Sequence, residues 1–155
     1  MTDHADDATL GSARAWLRLQ VDKGGAPCPC CTQFTKVYKR KLNSSMARAL
    51  ITMLRREPVG WFHAPPMLSA LGGDWAKMAY WGLIEQSAEP STTGGKTAGV
   101  WRMTDAGRRF ARAESAVQKY ARLYDGRCLG FDGPSIGVRD ALGSKFDYDE
   151  LMEGE

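Results

Sequence analysis

The segments "MAYWGLIEQ" (residues 78–86) and "GVWRMTDAGRRF" (residues 99–110) change pattern abruptly within a few residues. Gly82 follows a helical run and precedes Leu83 and Ile84, which begin a strand. A glycine at that point closes a helix in the left-handed conformation and lets the chain turn sharply into a strand. The intervening "SAEPSTTGGKTAG" (residues 87–99) is a loop rich in Ser, Thr and Gly. "VWRM" (residues 100–103) then reads as a second strand pairing back on the first. Thr104 or Asp105 caps a further helix, with Ala106, Phe110, Ala113 and Val117 on one face. A threonine there satisfies amides that have no partner at a helix start.

Upstream, Asn43 or Ser44 caps the clearest helix of the chain. Met46, Ala49, Leu50, Met53 and Leu54 recur at helical spacing and make one apolar stripe. Glu57-Pro58 ends it, and Arg48, Arg55 and Arg56 fall off the stripe. "WFHAPPMLSALGGDWAKMAYWGLIEQ" reads as two short helices and a strand. Pro65-Pro66 starts the first helix and Gly72-Gly73 stops it. Asp74 caps the second, from about Trp75 to Trp81. Nearer the N-terminus a helix is expected from Ser12 to Lys23, stopped by Gly24-Gly25. "QFTKVYKRK" follows as a short strand or extended linker. Downstream, Asp125-Gly126 in "YARLYDGRCLGF" suits a two-residue type I′ turn, with Tyr124 opposite Arg127 and Leu123 opposite Cys128. Residues 135–152 suggest two short helical turns.

Helix, short helix, short helix, strand, glycine-rich loop, strand, helix is the order of a winged helix. Gly82-Leu83-Ile84 and Met103-Thr104-Asp105-Ala106-Gly107 carry the resemblance to the wing region of MarR- and PadR-type regulators. It covers about residues 44–114. The flanks, with the "CPCC" turn and the hairpin, are similar to small phage and prophage proteins, which implies no particular activity. The fold class expected is α+β: a winged helix-turn-helix with an N-terminal helix and cysteine turn and a C-terminal β-hairpin. The expected organisation is a disordered acidic tail (1–9), a helix with the Cys-rich turn and basic linker (10–42), the winged-helix domain (43–118), and a hairpin with an acidic extension (119–155).

The resemblance implies that the helix before the wing enters the major groove of DNA and that the wing tip touches backbone or minor groove. Here that helix is 75–81, whose polar members are Lys77 and Tyr80; Trp75, Met78 and Ala79 are expected in the core. Direct readout needs several base-edge donors and acceptors, whereas phosphate contact needs only charge. Lys39, Arg40, Lys41, Lys96, Arg102, Arg108 and Arg109 are candidates for the latter. Modest, salt-sensitive binding to double-stranded DNA is expected, in transcriptional regulation or DNA transactions. The alternative is a protein-interaction module, for example an inhibitor of a host system, using Trp75, Tyr80 or Trp81 as a contact patch.

Charge supports a polyanion-facing body. The chain has 155 residues and a net charge of +3. Residues 11–56 hold ten Lys or Arg and one acid, Asp22, while Asp3, Asp6 and Asp7 precede them and five acids lie from Asp147 onward. No apolar run reaches the roughly 18 residues of a membrane span, and no apolar leader opens the sequence, so a cytoplasmic protein is expected.

Reduced cysteines in such a compartment are metal ligands or small hydrophobes rather than disulfides. Cys28-Pro29-Cys30-Cys31 contains C-x-x-C as Cys28 and Cys31, resembling a zinc knuckle. Thr32 stands where such knuckles often have glycine. A tetrahedral structural zinc needs two more ligands, for which Cys128, His63 and Cys30 are the candidates. A site of Cys28, Cys31, Cys128 and His63 would clamp the turn, the helix pair and the hairpin. No catalytic constellation is present: there are two histidines, no P-loop, no dinucleotide fingerprint and no nucleophile elbow. Gly94-Gly95-Lys96-Thr97 ends like a phosphate-binding loop, but lacks the first glycine at the required spacing and precedes a strand. A non-enzymatic protein is expected.

Overall fold

A computed structural model of the chain describes residues 7–88, 99–124 and 126–153. Most of the acidic N-terminal tail, Lys96 with most of its loop, and Asp125 of the expected turn lie outside the described residues. The protein is mixed α+β, with antiparallel strand pairs and several helices. In chain order the elements are α1 (Leu10–Val21), β1 (Ala26–Pro27), β2 (Phe34–Thr35), β3 (Tyr38–Lys41), α2 (Ser44–Arg56), β4 (Phe62–His63) and α3 (Ala64–Leu68). A short 3-10 turn (Ser69–Leu71) and a longer 3-10 helix (Asp74–Trp81) follow. Then come β5 (Ile84–Gln86), β6 (Val100–Met103), α4 (Asp105–Ala111), β7 (Val117–Tyr124), β8 (Arg127–Ile136), α5 (Val138–Leu142) and α6 (Tyr148–Glu153). Among the described residues three sheets form, in the orders β1-β2, β3-β7-β8 and β4-β6-β5. Among the described residues no helix is long and apolar enough to cross a membrane.

The chain divides into two compact units, the smaller drawn from residues up to Arg40 and from Arg122–Gly130, the larger from Lys41–Ala121 and from Phe131 onward. In the larger unit α2 is the centre. Asn43 Oδ1 accepts the Met46 amide at 3.0 Å and caps it. The expected stripe of Met46, Ala49, Leu50, Met53 and Leu54 is buried, and so are Ala47 and Ile51. Burial is wider than one face because the 3-10 helix, α4, α5 and α6 all pack on α2. Each Leu, Ile or Met side chain among these buried residues contributes about 1.5–3 kcal/mol on leaving water. Phe110 of α4 and Met78 of the 3-10 helix are likewise fully buried.

The junction read from the sequence is built as expected. Gly82 ends the 3-10 helix at φ +72 in the left-handed region. Thr104 caps α4 by accepting the Gly107 amide at 3.0 Å, and its hydroxyl donates to the Gly82 carbonyl at 2.5 Å. β5 and β6 pair antiparallel with Ile84 opposite Met103 and Glu85 opposite Arg102. β4, absent from the sequence reading, adds a third strand with Phe62 opposite Trp101.

Four boundaries differ from expectation. Asp74 does not cap the second short helix but opens it, with Gly73 at the N-cap and no side-chain cap bond, because its carboxylate is taken by the Asn43 side chain. The N-terminal helix begins at Leu10 and its cap is Thr9, whose Oγ1 accepts the Ser12 amide at 3.1 Å. α4 ends at Ala111, because Ala113 turns to φ +62 and Val117 already belongs to β7. The Glu114 amide returns to the Arg109 carbonyl at 2.8 Å, closing the helix without the usual glycine. "QFTKVYKRK" splits into β2 and β3 rather than forming one strand.

The smaller unit carries α1 and the β1–β2 hairpin, with Ala26 opposite Thr35 and Pro27 opposite Phe34. Arg122 pairs with Asp22 at 2.5 Å within this unit.

Candidate nucleic-acid interface

Asp74–Trp81 is helical with 3.0 residues per turn, so residues three apart lie directly above one another. The sequence "DWAKMAYW" has the same period: Trp75, Met78 and Trp81 share one row, Asp74, Lys77 and Tyr80 a second, and Ala76 and Ala79 a third. The first row faces inward. Trp75 meets Trp101 edge-on at 5.0 Å between centroids, Met78 is fully buried, and Trp81 donates its indole N–H to the Gln118 carbonyl at 2.8 Å. Asp74 Oδ2 accepts from the Asn43 side-chain Nδ2 at 3.1 Å, which ties the second row to the start of α2. Lys77 and Tyr80, both half-buried, continue that row. Ala79, expected in the core, is exposed, because the row of small residues faces away from the tryptophans. Trp81 is buried and takes no part in a surface patch.

Lys39, Arg40 and Lys41 are successive residues of β3, so Lys39 and Lys41 point to one side and Arg40 to the other. Lys39 and Lys41 are exposed and Arg40 is half-buried. Arg102 is differently placed. Its Nε pairs with Glu85 Oε1 across β5 and β6, and its guanidinium lies 4.4 Å from the centroid of the Trp61 ring. The cation is thus partly neutralised and stacked on the sheet. Arg108 is occupied as well. It donates to the carbonyls of Pro58 (3.0 Å) and Met103 (3.3 Å) and pairs with Asp105, whose carboxyl the guanidinium holds below the usual aspartate range. Lys96 lies outside the described residues.

The cysteine turn lies in the loop of the β1–β2 hairpin. The Cys28 amide donates to the Gln33 carbonyl at 2.8 Å and the Thr32 amide to the Cys28 carbonyl at 2.9 Å. Thr32 has φ +65, the conformation for which knuckles often use glycine. Hydrogen bonds from the backbone amides of Cys31 and Cys30 lower the Cys28 thiol from its ordinary pKa; the Cys30 N–H lies 3.4 Å from the sulfur. The turn therefore favours one thiolate. Cys128, in the same unit, directs its S–H to the Gly130 carbonyl at 3.4 Å. His63 is an exposed residue of β4 in the larger unit. Among the described residues no group of three or more His, Cys, Asp or Glu side chains stands in ligating arrangement. A structural zinc needs four donors; Cys28 and Cys31 are two cysteines of this one turn.

Sequence reasoning missed Glu85 as the partner of Arg102, and it missed Lys119 and Lys145, which the fold brings beside Lys41 around one cavity. Strand register could have supplied the first. No local pattern marks the second, since its members lie on separate elements. No protein-family model, curated protein or solved structure matches the chain.

Proposed function

We propose that the protein is a non-enzymatic, winged-helix DNA-binding protein whose contacts are mostly to phosphate. The observation that carries this reading is the run α2, β4, α3, 3-10 helix, β5, β6, α4, in which β4 joins the β5–β6 pair as a third strand. Ahead of that pair the 3-10 helix carries half-buried Lys77 and Tyr80 on a row separate from that of Trp75, Met78 and Trp81. Lys39 and Lys41 add exposed charge on β3. Few polar side chains stand on the helix, and Arg102 is paired, so charge rather than base readout supplies the affinity. Anisotropy of a labelled random-sequence duplex across a salt series tests the reading: binding weakens steeply as salt rises, and its absence at low salt rejects it.

A second reading is a protein-binding platform, and one observation favours it. Val59 and Trp61 are exposed on the turn before β4, and apolar side chains of that size suit a protein partner. Retention of DNA binding in Trp61→Ala separates the two. We further read the Cys28–Cys31 turn as half of a structural zinc site, tested by elemental analysis of the purified protein.

A further inference from the structure

The larger unit holds a cavity of about 540 Å3 where the start of α2, β3, β7, β8 and the residues following α5 come together. That size suits a small ligand. Its wall carries three lysines, Lys41, Lys119 and Lys145, and three serines, Ser44, Ser135 and Ser144. Among the described residues one acidic side chain lines it, Asp140, whose Oδ2 accepts the Gly137 amide at 2.9 Å. The lysines come from separate elements, so neighbourhood in the chain does not explain their convergence.

The start of α2 adds to this field. Asn43 takes the Met46 amide on its side chain and the Ala47 amide on its carbonyl. The amides of Ser44 and Ser45 precede the first intrahelical bond, and Ser44 lines the cavity. The N-terminus of a helix this long carries partial positive charge toward an anion. One turn further along α2, Arg48 lies 4.3 Å from the centroid of the Phe146 ring, the residue after Lys145. Its Nε is buried and has no hydrogen-bond partner. Three lysines, three serines and a helix start line one concavity, and ammonium, hydroxyl and amide donors of these kinds hold phosphate.

We propose that this cavity is a phosphate-binding pocket, with Lys41, Lys119 and Lys145 neutralising the anion and Ser44, Ser135 and Ser144 fixing its oxygens. The phosphate comes from a free phosphorylated small molecule or from the DNA backbone; the volume exceeds what one backbone phosphate needs and favours the former. The pocket shares Lys41 with the DNA reading, which otherwise rests on the 3-10 helix and Lys39 of β3; Lys119 and Lys145 belong to the pocket alone.

The test is amide-resolved NMR titration at constant ionic strength, first with sodium pyrophosphate and then with a short random-sequence duplex. Saturable shifts at Ser44, Ser135 and Ser144 with pyrophosphate are expected, with affinity reduced at least about tenfold in Lys119→Gln/Lys145→Gln. Shifts at the same serines with pyrophosphate alone identify a free ligand; shifts with duplex as well identify backbone phosphate. A second variant, Ser144→Asp, places a carboxylate in the pocket and abolishes the shifts even if the double variant folds poorly. Serine amides unmoved by both probes, or a folded double variant titrating like the parent, overturn the proposal. Loss of duplex binding with the pyrophosphate titration intact rejects the DNA reading alone.

Discussion

A Cβ atom on Gly107 would stand 1.9 Å from the carbonyl oxygen of Leu83. The first turn of α4 therefore rests directly on the backbone where the 3-10 helix passes into β5. The Thr104 amide donates to that same carbonyl at 3.2 Å. The glycine of "MTDAG" is a contact surface rather than a flexible joint. In an open helix, glycine to alanine stabilises by about 1 kcal/mol. Here Gly107→Ala is expected to do the reverse, costing about 3 kcal/mol through backbone displacement. Urea unfolding checks it: the midpoint falls with the slope unchanged.

Tyr148 ties α6 to the end of α4 by donating its hydroxyl to the Ala111 carbonyl at 2.6 Å. Removing it in Tyr148→Phe is expected to cost about 1 kcal/mol. Burial pushes the Tyr148 pKa above its ordinary value, since the charged phenolate is less well solvated there. The folded state thus prefers the protonated phenol. Its stabilising effect is complete below about pH 10, the unfolded value, and is lost as pH rises through the higher folded value. Denaturation midpoints of parent and variant converge above that range; divergence there contradicts the assignment.

Cys28 is held toward its thiolate by two backbone amides. Iodoacetamide alkylation, resolved by site with mass spectrometry, is expected to be faster at Cys28 than at Cys128 near neutral pH. Its rate should level off below the ordinary thiol pKa of about 8.5. Added zinc protects Cys28 and Cys31 together if the turn binds metal. Equal rates at Cys28 and Cys128 are inconsistent with the turn's geometry.

Glu85 neutralises Arg102 across β5 and β6, and both side chains are 43% exposed. Such a pair contributes under about 1 kcal/mol to stability. On the proposed DNA-binding function, its larger effect is expected on binding. Glu85→Gln releases the cation and is expected to tighten duplex binding several-fold, steepening the salt dependence by about one phosphate contact. Unchanged binding excludes the β5–β6 face from the DNA contact.

The parts of the fold readable in advance were those whose signals are local. α2 announces itself by a capping Asn43 and by apolar residues at helical spacing. Gly82 and Thr104 mark the two ends of the β5–β6 pair, and both act there as expected. The end of α4 was not readable, because Ala113 adopts a glycine's conformation without being one. β4 was not readable either, since two residues carry no periodicity and its pairing with β6 is a long-range fact. At the candidate interface, the row of Lys77 and Tyr80 is legible only once the period of three is noticed in "DWAKMAYW". The neutralisation of Arg102 depends on register, and the cavity around Lys41, Lys119 and Lys145 on the convergence of separate elements.

Salt-dependent duplex binding, measured by anisotropy for the parent and for Lys39→Gln/Lys41→Gln/Lys77→Gln, tests the central claim most directly. The account predicts that log affinity falls linearly with log salt in the parent, by close to one unit of slope per phosphate contact. The triple variant should lose about three units of slope and bind all sequences uniformly less well. A parent that binds no duplex at low salt, or a folded triple variant with the parent's slope, would contradict it.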